Sequence, residues 1–97
     1  MQDSFENLLL YLVAGTRGGY TRGMIIHSLL KKPMNAHQVS KAVKVDYKTA
    51  EYHLKLLVEN EVLNVIRKGS YGAVYIPSPM MKESRAQFDD IWAGFGK

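Results

Sequence analysis

Residues 46–62 read "DYKTAEYHLKLLVENEV". The first part of this stretch concentrates groups that make polar contacts: Tyr47, Lys48, Thr49, Glu51, Tyr52 and Lys55. Lysine ammonium groups neutralise phosphate oxygens. A threonine hydroxyl and the free amides of a helix start donate to the same anions, helped by the positive end of the helix dipole. A tyrosine hydroxyl bonds a phosphate, and its ring packs on a thymine methyl. Glu51 needs another purpose, because a carboxylate repels a polyanion. It can accept from a cytosine amino group, pair with Lys55 four residues on, or hold Lys48. An ordinary amphipathic surface would account for either tyrosine alone. The set as a whole, after a basic segment and before a hairpin, points to nucleic acid.

Those side chains need a helix to display them. Asp46 can cap it, its carboxylate accepting from the amide of Lys48 or Thr49. At about 3.6 residues per turn, Ala50, Leu54, Leu57 and Val58 then step along one side, and the polar set points away. A small Ala50 allows a close approach to the preceding helix. That helix is "AHQVSKAV", capped by Asn35, with Val39, Ala42 and Val43 inward. Lys44, Val45 and Asp46 form the turn. A short helix, a tight turn and a longer helix have the spacing of a helix-turn-helix. "EVLNVIRKGSYGAVYIP" follows as a hairpin in which Leu63, Val65 and Arg67 alternate with Asn64, Ile66 and Lys68. Gly69 and Gly72 make its turn, residues 73–76 return, and Pro77 ends the strand.

Further helices flank this core. Ser4 is the expected cap of the first, in which Phe5, Leu8, Leu9, Leu12 and Val13 form an apolar stripe that Gly15 ends. After the loop "GTRGGYTRG", Thr21 is the expected cap of a second, with Met24, Ile25, Leu29 and Leu30 buried and Pro33 as the stop. Ser78 caps a last helix with Pro79 at its first position, carrying Met81, Phe88, Ile91, Trp92 and Phe95. The expected architecture is mainly α with a small β-hairpin: a single domain over residues 1–97, with a first helix in 1–15, a winged core in 21–77 and a last helix in 78–97.

Composition narrows the possibilities. The chain has 97 residues, enough for one domain. It has no Cys, which rules out disulfides and thiolate metal sites and fits a reducing cytoplasm. The net charge is +4, unevenly spread. Residues 21–48 hold Arg22, Lys31, Lys32, Lys41, Lys44 and Lys48 against Asp46 alone, while the remaining segments nearly balance. This is the expected footprint of a nucleic-acid face, although a solvated lysine-rich surface has the same composition. "LLLYLVAG" is far short of the roughly 20 apolar residues of a membrane span, and the acids Asp3 and Glu6 precede it. No phosphate-binding loop, dinucleotide fingerprint, HExxH or nucleophile motif occurs, so neither catalysis nor a cofactor is expected.

Residues 21–77 resemble winged helix-turn-helix regulators of the ArsR/MarR-like type, small archaeal and bacterial transcription factors. Thr49, Ala50, His53, Leu54 and Leu57 fill the places of the family's T-[AV]-x-x-H-L-x-x-L recognition helix, and a turn and a basic wing follow. The resemblance implies that Lys48, Thr49, Tyr52 and Lys55 face double-stranded DNA; the residues themselves add Lys44, Tyr47 and Glu51 to the expected DNA-binding set. The resemblance makes Arg67, Lys68, Ser70 and Tyr71 the wing, on the flanking backbone or in the minor groove. Two departures stand out. Glu61 occupies a place where many relatives have Gly. Metal sensors of this type use Cys pairs or clustered His and acids, whereas His27, His37 and His53 stand apart here, so no metal is expected. His53 matches a structural position of the motif and is expected at the edge of the core.

The terminal helices are more apolar than solvated helices need to be. Phe5, Leu8, Leu9, Leu12, Phe88, Ile91, Trp92 and Phe95 could pack within one chain or across a two-fold axis. A homodimer is favoured, because two copies read a palindrome with half-sites about one helical turn apart. The leading expectation is thus a homodimeric, sequence-specific regulator bound to double-stranded DNA. The alternative is a winged-helix module that binds protein within a transcription or processing assembly.

Overall fold

A computed structural model describes residues 2–67 and 72–96. Along the chain run α1 (Gln2–Ala14), α2 (Gly19–Lys31), α3 (Ala36–Val43), α4 (Tyr47–Glu59), β1 (Leu63–Arg67), β2 (Ala73–Pro77), α5 (Pro79–Glu83) and α6 (Arg85–Ala93). The architecture is mainly α with one antiparallel hairpin, a winged helix-turn-helix with extra helices at both ends. Among the described residues no helix is long and apolar enough to cross a membrane.

Local chemistry sets most of the boundaries. Asn35 accepts from the Gln38 amide at 2.8 Å while the Gln38 side chain accepts from the Asn35 amide at 2.8 Å, a reciprocal capping box that starts α3. Ser78 starts α5, its Oγ accepting from the Met81 amide at 3.0 Å with Pro79 in the first turn. That hydroxyl also donates to the Glu61 carbonyl at 2.8 Å, which ties the base of the hairpin to the end of α4. Glu61 itself has φ 62, in the left-handed region that favours glycine.

The starts of α1 and α2 differ from expectation. α1 already runs through Ser4, so Ser4 is a helical residue and not a cap. α2 begins at Gly19, with Gly18 at φ 85 before it, and Thr21 lies inside the helix. Glycine chemistry is the reason. A Cβ on Gly19 would lie 1.9 Å from the Val13 carbonyl oxygen, so α2 passes against the end of α1 at a distance that only glycine permits. The last helix is broken at Ser84, whose amide turns back to the carbonyls of Met80 and Met81, both at 3.1 Å.

The core gathers one face from each helix: Leu9 and Val13, Ile25 and Ile26, Val39 and Val43, Leu54 and Leu57, with Leu63, Met81 and Phe88 closing it. Ile26 is buried, whereas Met24 and Leu30 are only half-buried and Ala42 is exposed, a rotation of the inward faces expected for α2 and α3. Of β1 only Leu63 is buried, opposite the buried Pro77 of β2, and Val65 and Ile66 are exposed. The register pairs Leu63 with Pro77, Val65 with Tyr75 and Arg67 with Ala73. Met34 extends the sheet by a backbone bridge to Tyr75 (2.8 and 3.3 Å), which fixes the hairpin against the segment entering α3.

α1 and α6 pack on each other. Of the residues expected at a two-fold, Phe5, Leu9, Leu12, Phe88 and Trp92 are buried within the single chain, Leu8 and Ile91 are half-buried, and Phe95 is exposed. The first group is thus covered by its own chain. The reason is the aromatic stack: Trp92 lies 6.0 Å from Phe88, 5.4 Å from Tyr20 and 5.3 Å from Phe95 by ring centroids, and its ring presses on Gly23.

A Cβ at Gly23 would fall 2.2 Å from Trp92 Cζ3. Gly23→Ala should therefore destabilise the fold by about 1–3 kcal/mol through overpacking, despite alanine's better helix propensity. Denaturant unfolding checks this, and an equal or raised midpoint would contradict the packing.

Candidate nucleic-acid interface

α4 is the element on which the site is built. Asp46, at φ −70 and ψ 165, caps it and accepts from the Thr49 amide at 2.7 Å. The hydrogen bonds with Thr49 hold the Asp46 carboxyl below its ordinary value. With that start fixed, Ala50, Leu54 and Leu57 are completely buried and His53 nearly so. Lys48, Glu51 and Lys55 are exposed, Tyr47 is 40% and Tyr52 61% accessible, and Thr49 is half-buried. Lys44 is exposed in the turn before them, in the left-handed conformation at φ 60.

The hairpin completes a concave surface with this helix. Lys48, Glu51, Tyr52 and Lys55 face Val65, Arg67 and Tyr75 across a groove of about 600 Å3. A second hollow of about 440 Å3 continues it past Tyr47, Glu51, Arg67 and Tyr75 to His37 and Gly72. Strand alternation explains the pairing, since Val65, Arg67, Ala73 and Tyr75 share one face of the hairpin. Lys68, Ser70 and Tyr71 lie outside the described residues. Gly72, at φ 82, brings the chain back into β2.

Three groups at or behind this surface were not foreseen. His37, at the start of α3, packs at a tilt against Tyr47 with ring centroids 4.7 Å apart. Tyr75 forms the groove wall, and partial burial raises its phenol above the ordinary value. Arg22 is 3% exposed, behind α4. The signal for Arg22 was present: Arg22, Ile25, Ile26 and Leu29 follow an i, i+3, i+4, i+7 spacing, so Arg22 lies on the buried stripe of α2. The basic segment 21–48 is accordingly divided. Arg22 is interior, and Lys31 and Lys32 line a separate hollow with Ile76, Lys82 and Arg85. Among the described residues the cations at the groove are Lys48, Lys55 and Arg67, opposed there by Glu51 and Glu59.

The three histidines have different neighbours. His27 is near Trp92 (6.2 Å), His37 is on Tyr47, and His53 is at Arg22. Among the described residues no three His, Asp or Glu side chains gather where they could hold a metal ion.

This arrangement of turn, exposed helix and paired hairpin matches known proteins. Residues 20–65 match the model of the family described as "Bacterial regulatory protein, arsR family". Over these residues the chain is similar to the arsR regulatory family, as a winged helix-turn-helix. The fold is similar to that of the reduced transcriptional regulator YodB from B. subtilis, with 21% identity and a TM-score of 0.70 over 86% of this chain and 81% of that one. It is also similar to the homodimeric winged helix-turn-helix DNA-binding domain Mb0332 from Mycobacterium bovis, a possible ArsR-family regulator (15% identity, TM-score 0.70, 98% of this chain and 79% of that one). A MarR transcriptional regulator from Methanosarcina mazei aligns at 14% identity with a TM-score of 0.74 over 96% and 67% of the two chains. A search of curated proteins found no significant match.

The lowered carboxyl of Asp46 has a defined consequence for stability. Its contribution is fully present above the ordinary carboxylate value and is lost as pH falls through the lowered folded value. Asp46→Ala should lower the melting temperature at neutral pH, and the gap from the parent protein should close in acid. Thermal melts over a pH series test this, and a gap that stays constant would contradict the cap.

Proposed function

We propose that this protein is an arsR-type, homodimeric transcriptional regulator that binds double-stranded DNA sequence-specifically in the cytoplasm and catalyses no reaction. The observation that carries the reading is the exposed edge of α4. Tyr47, Lys48, Glu51, Tyr52 and Lys55 are turned out together, beside Arg67 of the hairpin. A helix of this kind enters the major groove by its N-terminal end. Lys48 and Lys55 bind phosphates there, and the half-buried Thr49 and the first amides of α4 donate to a phosphate oxygen. Tyr47 and Tyr52 contact phosphate or a thymine methyl, and Glu51 accepts from a cytosine amino group. Lys44 approaches the backbone from the turn. Arg67, with Lys68, Ser70 and Tyr71, follows the flanking backbone or minor groove. Lys48, Lys55 and Arg67 outnumber Glu51 and Glu59 at the groove between helix and wing, and this positive balance favours DNA over a protein-interaction role.

Homodimerisation follows from the reach of one module, which covers too few base pairs for useful specificity. In this reading Leu8, Ile91 and Phe95 are the contact residues, extended by the exposed Leu10 and Tyr11 of α1.

Lys48→Ala and Lys55→Ala should each weaken duplex binding and reduce the slope of log K against log salt by about one. Slopes unchanged in both variants would contradict the placement of α4. Selection of duplexes from a random pool should return a palindrome with half-sites about one helical turn apart, and sedimentation at micromolar concentration should show a dimer. A monomer bound to unrelated duplexes would contradict the dimeric reading.

A further inference from the structure

A buried arginine normally faces a carboxylate, because an unpaired charge in the interior is costly. Arg22 has no such partner: among the described residues the ion pair is Arg85 with Asp89, on α6. Arg22 instead spends its donors on oxygens and on one ring nitrogen. Nε donates to the Leu12 carbonyl at 2.8 Å, and Nη2 donates to the Arg17 carbonyl at 3.0 Å and to the Thr16 hydroxyl. Nη1 lies 3.2 Å from His53 Nδ1. The guanidinium thus joins the end of α1, the α1–α2 loop and α2 to the middle of α4. Its position by the Leu12 carbonyl is also favourable, since the last carbonyls of a helix attract cations.

A guanidinium has donors only. The contact therefore requires an unprotonated Nδ1, which places the neutral ring's proton on Nε2. An imidazolium carries N–H on both nitrogens. Protonation would replace this hydrogen bond with two donors and two positive charges face to face. The ring packs close to Gly18, where a Cβ would come within 2.9 Å of its Cε1.

We propose that Arg22 and His53 form a proton-sensitive latch that sets the seating of α4, so that protonating His53 loosens the helix and weakens DNA binding. Arg22 and His53 are positioning residues, acting through the helix and not on the duplex. The inference rests on the DNA-binding reading of α4.

The surroundings of the ring oppose its protonation. Arg22 faces it from α2, the backbone of Gly18 covers it from the loop, and Tyr52 lies edge-on at 5.1 Å on its own helix. Arg17 from the loop and Tyr11 from α1 are the next charged or titratable groups around Arg22. None of these groups is a carboxylate that would stabilise an imidazolium. Burial first, and then the charge of Arg22, hold His53 below the ordinary histidine value of 6.5. A lowered folded value means that stability falls as pH drops from that ordinary value towards the folded one, because the unfolded chain takes up the proton first.

The test uses the full chain with His37→Gln, which leaves no imidazole beside Tyr47 at the DNA face, and a fluorescent duplex taken from the random-pool selection. Anisotropy should show binding about tenfold weaker at about pH 5.5 than at about pH 7.5 while circular dichroism shows the fold retained. Adding His53→Asn should abolish that dependence. The same decline with Asn at position 53, or no decline while ring 15N shifts show His53 titrating, would overturn the proposal. At neutral pH those shifts should also show Nδ1 unprotonated, and a proton on Nδ1 would overturn the latch without reference to DNA. Absence of duplex binding at neutral pH would instead reject the functional reading, and the ring shifts would still decide the latch.

Discussion

The anchoring of one side of α4 governs what the other side presents. Ala50, Leu54 and Leu57 are wholly buried, and the Asp46 cap fixes where the first turn begins. A helix pinned at both points has no freedom to rotate, since turning it by one residue would expose a leucine and bury a lysine. Burial of a leucine side chain is worth roughly 1.5–3 kcal/mol, which outweighs any preference of the exposed edge. The direction of Tyr47, Lys48, Glu51, Tyr52 and Lys55 is therefore a consequence of core packing.

The wing depends on a second set of constraints. β1 and β2 form a two-stranded sheet, and an isolated hairpin is only marginally stable in water. The backbone bridge between Met34 and Tyr75 attaches it to the entry of α3, and Ser78 attaches its base to the turn after α4. Both attachments refer the hairpin to the helices of the helix-turn-helix. The groove between Lys48 and Arg67 thus has a defined width instead of being two loosely connected surfaces.

What could be read from the sequence is what local chemistry decides. Asn35, Asp46 and Ser78 are recognisable as caps because their side chains bond amides two or three residues away, and the leucine spacing of α4 is unambiguous. The side of α4 that faces outward was legible for the same reason. Features decided by neighbours distant in sequence were not. Thr21 looks like a cap, but contact of Gly19 with the Val13 carbonyl starts α2 earlier. Arg22 counts as surface charge in a composition, yet the carbonyls of Leu12 and Arg17 and the ring of His53 draw it inside. Lys31 and Lys32 share a segment with Lys48 but line a different hollow. The apolar stripes of the first and last helices were evident, but their sequence could not show that Phe5, Leu9, Leu12, Phe88 and Trp92 close over one core.

The most direct test of the central claim is to map the duplex on the protein. Backbone amide shifts recorded while the selected duplex is added should change most along residues 44–55 and at Arg67 and Tyr75, with α6 little affected. Changes concentrated on α1 and α6, with the exposed edge of α4 silent, would contradict it.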